Sequence, residues 1–202
     1  MIVIGLTGPK GSGKDTVGQL IKSNYKGVVT TAFADPIRKV VEDIFQLPHE
    51  LRPDSYDKFK RTNLLYDLPG IGMEAVSGRR VVREIGMLMR SYNEQQFTAY
   101  AEGIFKQNAL SSLHVVTDVR FVNEYEMLKR YNAAIIKIVR PDYDYDGHIT
   151  EKGFPDEFVD FIINNDGDLG KLERSVTAVV NQILIVKEWK GNEAYNGKEQ
   201  SV

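Results

Sequence analysis

Along the chain, short apolar runs alternate with stretches in which apolar residues recur every three or four positions. These are the periodicities of buried strands and of helices with one buried face. Ile2 to Thr7, Val28 to Phe33, Leu113 to Thr117, Ala133 to Val139 and Phe158 to Ile163 predict five strands. Between them, Val17, Leu20 and Ile21 predict a first helix, and Asp35-Pro36 opens a second whose apolar face is Val40, Val41, Ile44 and Phe45. Asp35 suits an N-cap and Pro36 a first turn. Val82, Ile85 and Met89 mark a third helix from Arg79 to Arg90, and Phe97, Tyr100, Ala101, Ile104 and Phe105 a fourth. Another runs from Phe121 to Tyr131, and the last from Leu169 to Glu188, with Leu172, Val176, Val179, Val180, Ile183 and Leu184 on its buried side. Strands alternating with helices imply a parallel sheet covered on both faces.

Two stretches break the pattern. From about 47 to 78, Pro48, Pro53, Pro69, Gly70, Gly72 and Gly78 interrupt it, which reads as a binding insertion. A polar loop rich in Asp, Tyr and Gly, at about 141–155, reads as a lid beside the strand ends. Long irregular stretches in compact domains tend to be of these kinds. The expected organisation is a single domain over 1–188 with a polar tail at 189–202.

The first strand runs into Gly8-Pro9-Lys10-Gly11-Ser12-Gly13-Lys14-Asp15-Thr16, and a helix follows. Strand, G-x-x-x-x-G-K loop and helix together make a phosphate-binding P-loop. Glycines let successive backbone N–H groups turn toward an anion at the positive end of the helix, and Lys14 adds a mobile charge. The predicted architecture is therefore α/β, a three-layer P-loop NTPase fold. Its sheet is five-stranded and mainly parallel, with an acceptor-binding insertion and a lid loop. Where the full motif places Ser or Thr as a Mg²⁺ ligand, this chain has Asp15, with Thr16 one place later. That shift points away from GTPase-like switches and toward small kinases whose metal is held mostly by phosphates and water.

Composition narrows the partners. The chain has 202 residues, with 26 Lys and Arg against 28 Asp and Glu and a formal charge of -2. Nothing in that balance marks a binder of nucleic-acid polymers or membrane surfaces, so bound phosphates must be met by local charge. The absence of cysteine excludes disulfides and thiolate metal sites. With an apolar strand at its start, no basic n-region and no long apolar run, the chain is expected in the cytoplasm.

Local positive charge is abundant. Arg38 stands just beyond the second strand, where open α/β sheets bind ligands. Arg79, Arg80, Arg83 and Arg90 crowd one helix with only Glu84 opposing them, a composition suited to bidentate phosphate recognition. Asp118 follows an apolar strand in a Walker-B-like position, able to hold Mg²⁺ directly or through water, and could also cap the next helix. Arg120 comes just after it, and Arg140 stands at the lid entrance. Asn165-Asp166-Gly167 forms a strand-end turn that could meet a nucleotide base. His114, inside a strand, reads as a core or surface histidine, and His148 ranks below Arg140 as a ligand.

Taken in order, Ser12-Gly13-Lys14-Asp15-Thr16, Pro36-Ile37-Arg38, Arg79-Arg80, Asp118 with Arg120, Val139-Arg140-Pro141, His148-Ile149-Thr150-Glu151 and Asn165-Asp166-Gly167 resemble the deoxynucleoside monophosphate kinases of T-even-like bacteriophages. The likeness reaches from near the start to about residue 172 and is weak between Leu47 and Gly78. It implies ATP as donor, Mg²⁺, and a deoxynucleoside monophosphate as acceptor, with the host cytoplasm as the place of work and homodimerisation left open. By the resemblance, Gly8 to Thr16 (Lys10 included) and Asn165 to Gly167 hold the donor, while Asp118 organises Mg²⁺ and its waters. Arg38, Arg79, Arg80 and Arg83, with Thr150 and Glu151, face the acceptor, and Lys14, Arg120 and Arg140 neutralise the transferring group. The rival readings are a dephospho-coenzyme A or phosphomevalonate type of P-loop kinase, and an ATP-binding switch.

Overall fold

The computed structural model describes residues 1–45, 61–68, 72–141 and 154–196. They form two compact units, Met1–Ala32 with Glu102–Val202, and Phe33–Ala101. The first unit holds the predicted sheet: β1 (Ile2–Thr7), β2 (Val28–Thr31), β5 (Leu113–Val116), β6 (Ala134–Val139) and β7 (Phe161–Asn164), ordered β2-β5-β1-β6-β7. All four pairings are parallel, with Ile4 opposite Val115 on one side and Ala134 on the other. β1 is therefore central, and the order of connections reverses beside it. Ligand crevices in open parallel sheets form at such a reversal, outside the carboxyl ends of the strands.

Alternation along β1 explains the layers. Ile4 and Leu6 point into a cluster with Val17 and Ile21 of α1 (Lys14–Asn24) and Leu172, Val176, Val180 and Ile183 of α6 (Leu169–Asn196), all nearly inaccessible to water. Gly5 points the other way. A Cβ there would lie 2.8 Å from Leu128 of α5 (Val122–Arg130), so that helix covers the opposite face. Each fully buried Ile or Leu in these layers contributes about 1.5–3 kcal/mol by leaving water. Tyr25 closes the α1–α6 contact, its hydroxyl lying 2.8 Å from Asn181 Oδ1.

Several boundaries differ from the sequence reading. β2 ends at Thr31, and the last strand begins at Phe161 because Asp156–Phe158 forms a short 3-10 turn after Pro155. α6 continues past Glu188 to Asn196, so part of the expected polar tail is helical. The second unit contains α2 (Asp35–Phe45), a hairpin of β3 (Arg61–Leu68) and β4 (Gly72–Ser77), α3 (Gly78–Tyr92) and the start of α4 (Gln96–Gln107). The hairpin lies in the stretch read as irregular. Its pairs, from Leu65 with Ala75 to Leu68 with Gly72, flank the Pro69-Gly70 turn signal. Among the α3 side chains described, Val81 and Gly86 are buried, flanking the predicted Val82, Ile85 and Met89, which are half-buried, while Met87 and Leu88 face solvent. Gly86 is where α2 comes close, since a Cβ there would stand 2.9 Å from Ile37 Cδ1. Among the described residues, no helix is long and apolar enough to cross a membrane.

His114 is a core residue, 0% exposed, packed edge-on against Phe105. Nε2 donates to the Asn108 carbonyl at 3.1 Å in the tautomer that leaves Nδ1 as an acceptor, and Nδ1 has no partner among the described residues. Burial therefore pushes its pKa below the usual 6.5, and the neutral ring is the native form. In the unfolded chain the ring takes up a proton near its ordinary pKa, so stability present above about pH 6.5 is lost as the pH falls below it. Thermal unfolding between pH 7 and 5 should show that decline, and His114→Leu should flatten it; an unchanged slope would contradict the assignment.

Candidate active site

The Gly8–Gly13 loop leaves the end of β1 in the middle of the sheet, and three of its residues have positive φ: Gly8 at 141°, Gly11 at 72° and Gly13 at 102°. Gly8 and Gly13 are also sterically required. A Cβ on Gly8 would sit 2.4 Å from the Ile138 carbonyl oxygen of β6, and one on Gly13 would sit 2.5 Å from Asn165 Nδ2. The loop is thus folded against the two structures that follow it in space, which fixes where its N–H groups point. Gly13 caps α1 in the left-handed conformation, and the helix begins at Lys14, so the positive end of α1 opens onto the loop.

Lys14 is 8% exposed, and its ammonium donates to the Gly8 carbonyl at 2.8 Å and the Pro9 carbonyl at 2.7 Å. Those contacts hold the charge over the cradle. Ser12 is 1% exposed, and its hydroxyl has no hydrogen-bond partner among the described residues. It lies 3.0 Å from where a Gly8 Cβ would be, inside the curl of the loop. A buried hydroxyl without a partner costs about 1–3 kcal/mol, which a phosphate oxygen in the cradle would relieve. Lys10 is half-buried, and Asp15 and Thr16 are exposed on the first turn of α1.

Asp118 lies just past β5, the neighbour of β1, and is 5% exposed. Between the two strands, Val119 N–H donates to the Leu6 carbonyl at 3.0 Å, and the Thr7 hydroxyl donates to the Val119 carbonyl at 2.9 Å. The start of α5 is closed by its own third residue. Glu124 Oε2 accepts the N–H groups of Arg120 at 2.8 Å and Phe121 at 3.1 Å. Sequence reasoning passed over both Thr7 and Glu124; the signal was Glu three residues after the helix entrance, the acidic half of a capping box.

At the ends of β6 and β7 two further loops approach the cradle. Arg140 Nη1 is 3.5 Å from the Gly11 carbonyl, an exposed and long contact. Asn165 Nδ2 donates to the Ser12 carbonyl at 2.9 Å, so this side chain braces the phosphate loop itself. Asp166 pairs with Lys171 at 3.0 Å, and the hydrogen bond from that ammonium holds its carboxyl below the usual range. The cap of α6 is Asp168, whose Oδ1 accepts the Lys171 N–H at 2.7 Å, rather than a residue of Asn165-Asp166-Gly167.

In the second unit, Arg38 pairs with Asp35 at 3.0 Å, because the helix already includes Asp35 and the Ala34 carbonyl accepts the Arg38 N–H. Arg80 pairs with Glu84 at 2.7 Å, one turn on, and Arg83 is half-buried. Arg90 lies over the Phe97 ring, 4.6 Å from its centroid, which accounts structurally for one of the four arginines. Arg79 lies within α3, its side chain outside the described part; His148, Thr150 and Glu151 also lie outside the described residues.

The donor set bears on the metal. No group of three or more His, Cys, Asp or Glu among the described residues converges as a cation cage. One buried carboxylate, Asp118, beside a phosphate cradle fits Mg²⁺, which keeps several waters and is bound through one or two carboxylates plus substrate phosphates.

Comparison with known proteins fits this geometry. The family model for deoxynucleotide monophosphate kinase matches residues 87–176, the span that carries Asp118, Arg120, Arg140 and Asn165. The deoxynucleotide monophosphate kinase of Escherichia phage RB69 is 25% identical over 244 aligned positions, covering 89% of this chain and 100% of that protein. A protein of Acanthamoeba polyphaga mimivirus, provisionally named for the same activity, is 28% identical over 153 residues, covering 70% of this chain and 75% of the relative. Among solved structures, dephospho-CoA kinase from Campylobacter jejuni aligns at 17% identity with a TM-score of 0.48, covering 90% of this chain and 96% of that one. The chain is thus similar to deoxynucleotide monophosphate kinases, by the family model over residues 87–176 and by the phage and mimivirus relatives over most of its length.

Proposed function

We propose that this nucleotide kinase transfers the γ-phosphoryl group of ATP to a deoxynucleoside 5'-monophosphate, giving ADP and the deoxynucleoside diphosphate. The observation that carries the proposal is the pairing of a phosphate cradle at the end of β1 with a buried carboxylate, Asp118, at the end of the adjacent strand. The family's name supplies the acceptor class.

An acceptor phosphate oxygen attacks the γ-phosphorus in line, and the bond from that phosphorus to the β,γ-bridging oxygen breaks. The acceptor is already anionic at neutral pH, so the reaction needs no strong general base; positioning and charge neutralisation suffice. The loop from Gly8 to Thr16 would take the donor phosphates, with Lys14 on the β- and γ-oxygens and Ser12 donating from inside the curl. Asp118 would hold Mg²⁺ through its waters, and the ion would supply positive charge to screen the donor phosphates. Arg120 and Arg140 would offset charge on the group in flight. Arg38, Arg79, Arg80 and Arg83, with Thr150 and Glu151, are assigned to the acceptor, where Arg38 and Arg80 would exchange their local carboxylates for phosphate.

Replacing Lys14 by Met should lower kcat by at least about 100-fold, the scale of losing one positioned charge on the transferring group, with thermal stability nearly unchanged. Retained turnover would refute the cradle. Arg80→Ala should cost about 2–4 kcal/mol in kcat/KM for the acceptor if a desolvated phosphate contact is lost. A change confined to the KM for ATP would reverse the division of donor and acceptor roles. ADP release measured over a panel of deoxynucleoside and nucleoside monophosphates, dephospho-coenzyme A and phosphomevalonate should respond to the deoxynucleotides. A response to another acceptor alone would reassign the substrate, and release independent of any acceptor would make the chain an ATPase switch.

A further inference from the structure

Asp118 and Arg120 sit on the short connection between β5 and α5, and such a connection positions charges only if its backbone is held. It is held at two points by side chains outside the phosphate-binding motif. Thr7, the last residue of β1 and 1% exposed, donates its hydroxyl to the Val119 carbonyl at 2.9 Å, while the Leu6 carbonyl accepts the Val119 N–H at 3.0 Å. Glu124, also 1% exposed, gathers the Arg120 and Phe121 N–H groups on one carboxylate oxygen at 2.8 and 3.1 Å. Val119, 1% exposed, is the buried pin between the two anchors.

The placement matters because Thr7 immediately precedes Gly8. One hydroxyl thus fastens the connection carrying Asp118 and Arg120 to the residue from which the phosphate cradle springs. A buried carboxylate at Glu124 costs desolvation, which two charge-assisted hydrogen bonds from backbone N–H groups offset. Glu124 accepts from the N-cap N–H of Phe121 and from Arg120 ahead of the helix, donors that an N-cap Ser, Thr or Asn does not serve, so the backbone of Arg120 is what it fixes.

We propose that Thr7 and Glu124 are positioning residues for phosphoryl transfer: together they set the Asp118–Arg120 segment against the phosphate cradle, without touching substrate. The inference rests on the kinase reading above. Displacements of about 1 Å cost on the order of 100-fold in rate when reacting groups must be aligned. The two anchors therefore act on kcat and on the metal requirement, and leave the cradle's hold on ATP in place.

The test uses the full chain with Thr7→Val, Thr7→Ser, Glu124→Met and Glu124→Gln. Thr7→Val and Glu124→Met should each lower kcat about 10- to 100-fold and raise the Mg²⁺ concentration at half-maximal rate, with the KM for ATP near that of the wild type. Thr7→Ser keeps the hydroxyl and Glu124→Gln keeps one acceptor oxygen, so both should recover most of the loss. Amide hydrogen exchange, read without substrate, should speed at Arg120 and Phe121 in Glu124→Met and not in Glu124→Gln. If Glu124→Met does not fold, Thr7→Val carries the test. A wild-type chain that releases no ADP with any acceptor overturns the kinase reading and this inference with it. A wild type that turns over, with Thr7→Val equal to it in kcat and metal dependence, overturns the positioning role alone.

Discussion

The carboxyl end of the sheet depends on how closely the Gly8 backbone passes the Ile138 carbonyl. A single methyl group there would stand 2.4 Å from that oxygen, so no other residue fits without moving β1 away from β6. That contact starts the cradle at a fixed height above the sheet. The second tight approach, Gly13 against Asn165, fixes its far end and the first turn of α1. Between them lie the Lys14 ammonium and the buried Ser12 hydroxyl, one held by carbonyls of the loop and the other without a partner among the described residues. The cradle is pre-shaped by packing, so binding does not have to order it.

Each unit carries its own charged groups. Asp118 is buried beside the cradle, and the arginines of the second unit rest on nearby carboxylates, Arg38 on Asp35 and Arg80 on Glu84. These are partly exposed pairs of neighbouring helical residues, worth a few tenths of a kcal/mol. A phosphate offers a guanidinium more than such a carboxylate does, and exchanging one for the other is cheap. Among the described residues the histidine, His114, is buried as a neutral structural ring.

The five strands of the sheet were legible in the sequence because the central strands β1, β5 and β6 are covered on both faces and the edge strands on one, so each is written as a short, mostly apolar run. The hairpin β3–β4 was not, since Thr62, Asn63, Asp67 and Glu74 interrupt its apolar residues and the two Gly-Pro-rich flanks read as loop. The far end of α6 was missed for a related reason: Gly191 and Asn192 are poor helix formers, yet the helix runs through them. In the candidate site, the glycine spacing singled out the Gly8–Gly13 loop, whereas the partners that brace it could only come from tertiary structure. Asn165, Asp166 and Asp168 are all capable caps, and position alone decides that Asp168 caps α6 while Asn165 holds Ser12. Thr7 and Glu124 carry no motif beyond half of a capping box.

The most direct test of the central claim is to follow the label from ATP carrying ³²P in the γ position, with a deoxynucleoside monophosphate present. The account predicts label in the deoxynucleoside diphosphate, in step with ADP formed. Label recovered as inorganic phosphate at the same rate with and without the acceptor would contradict it.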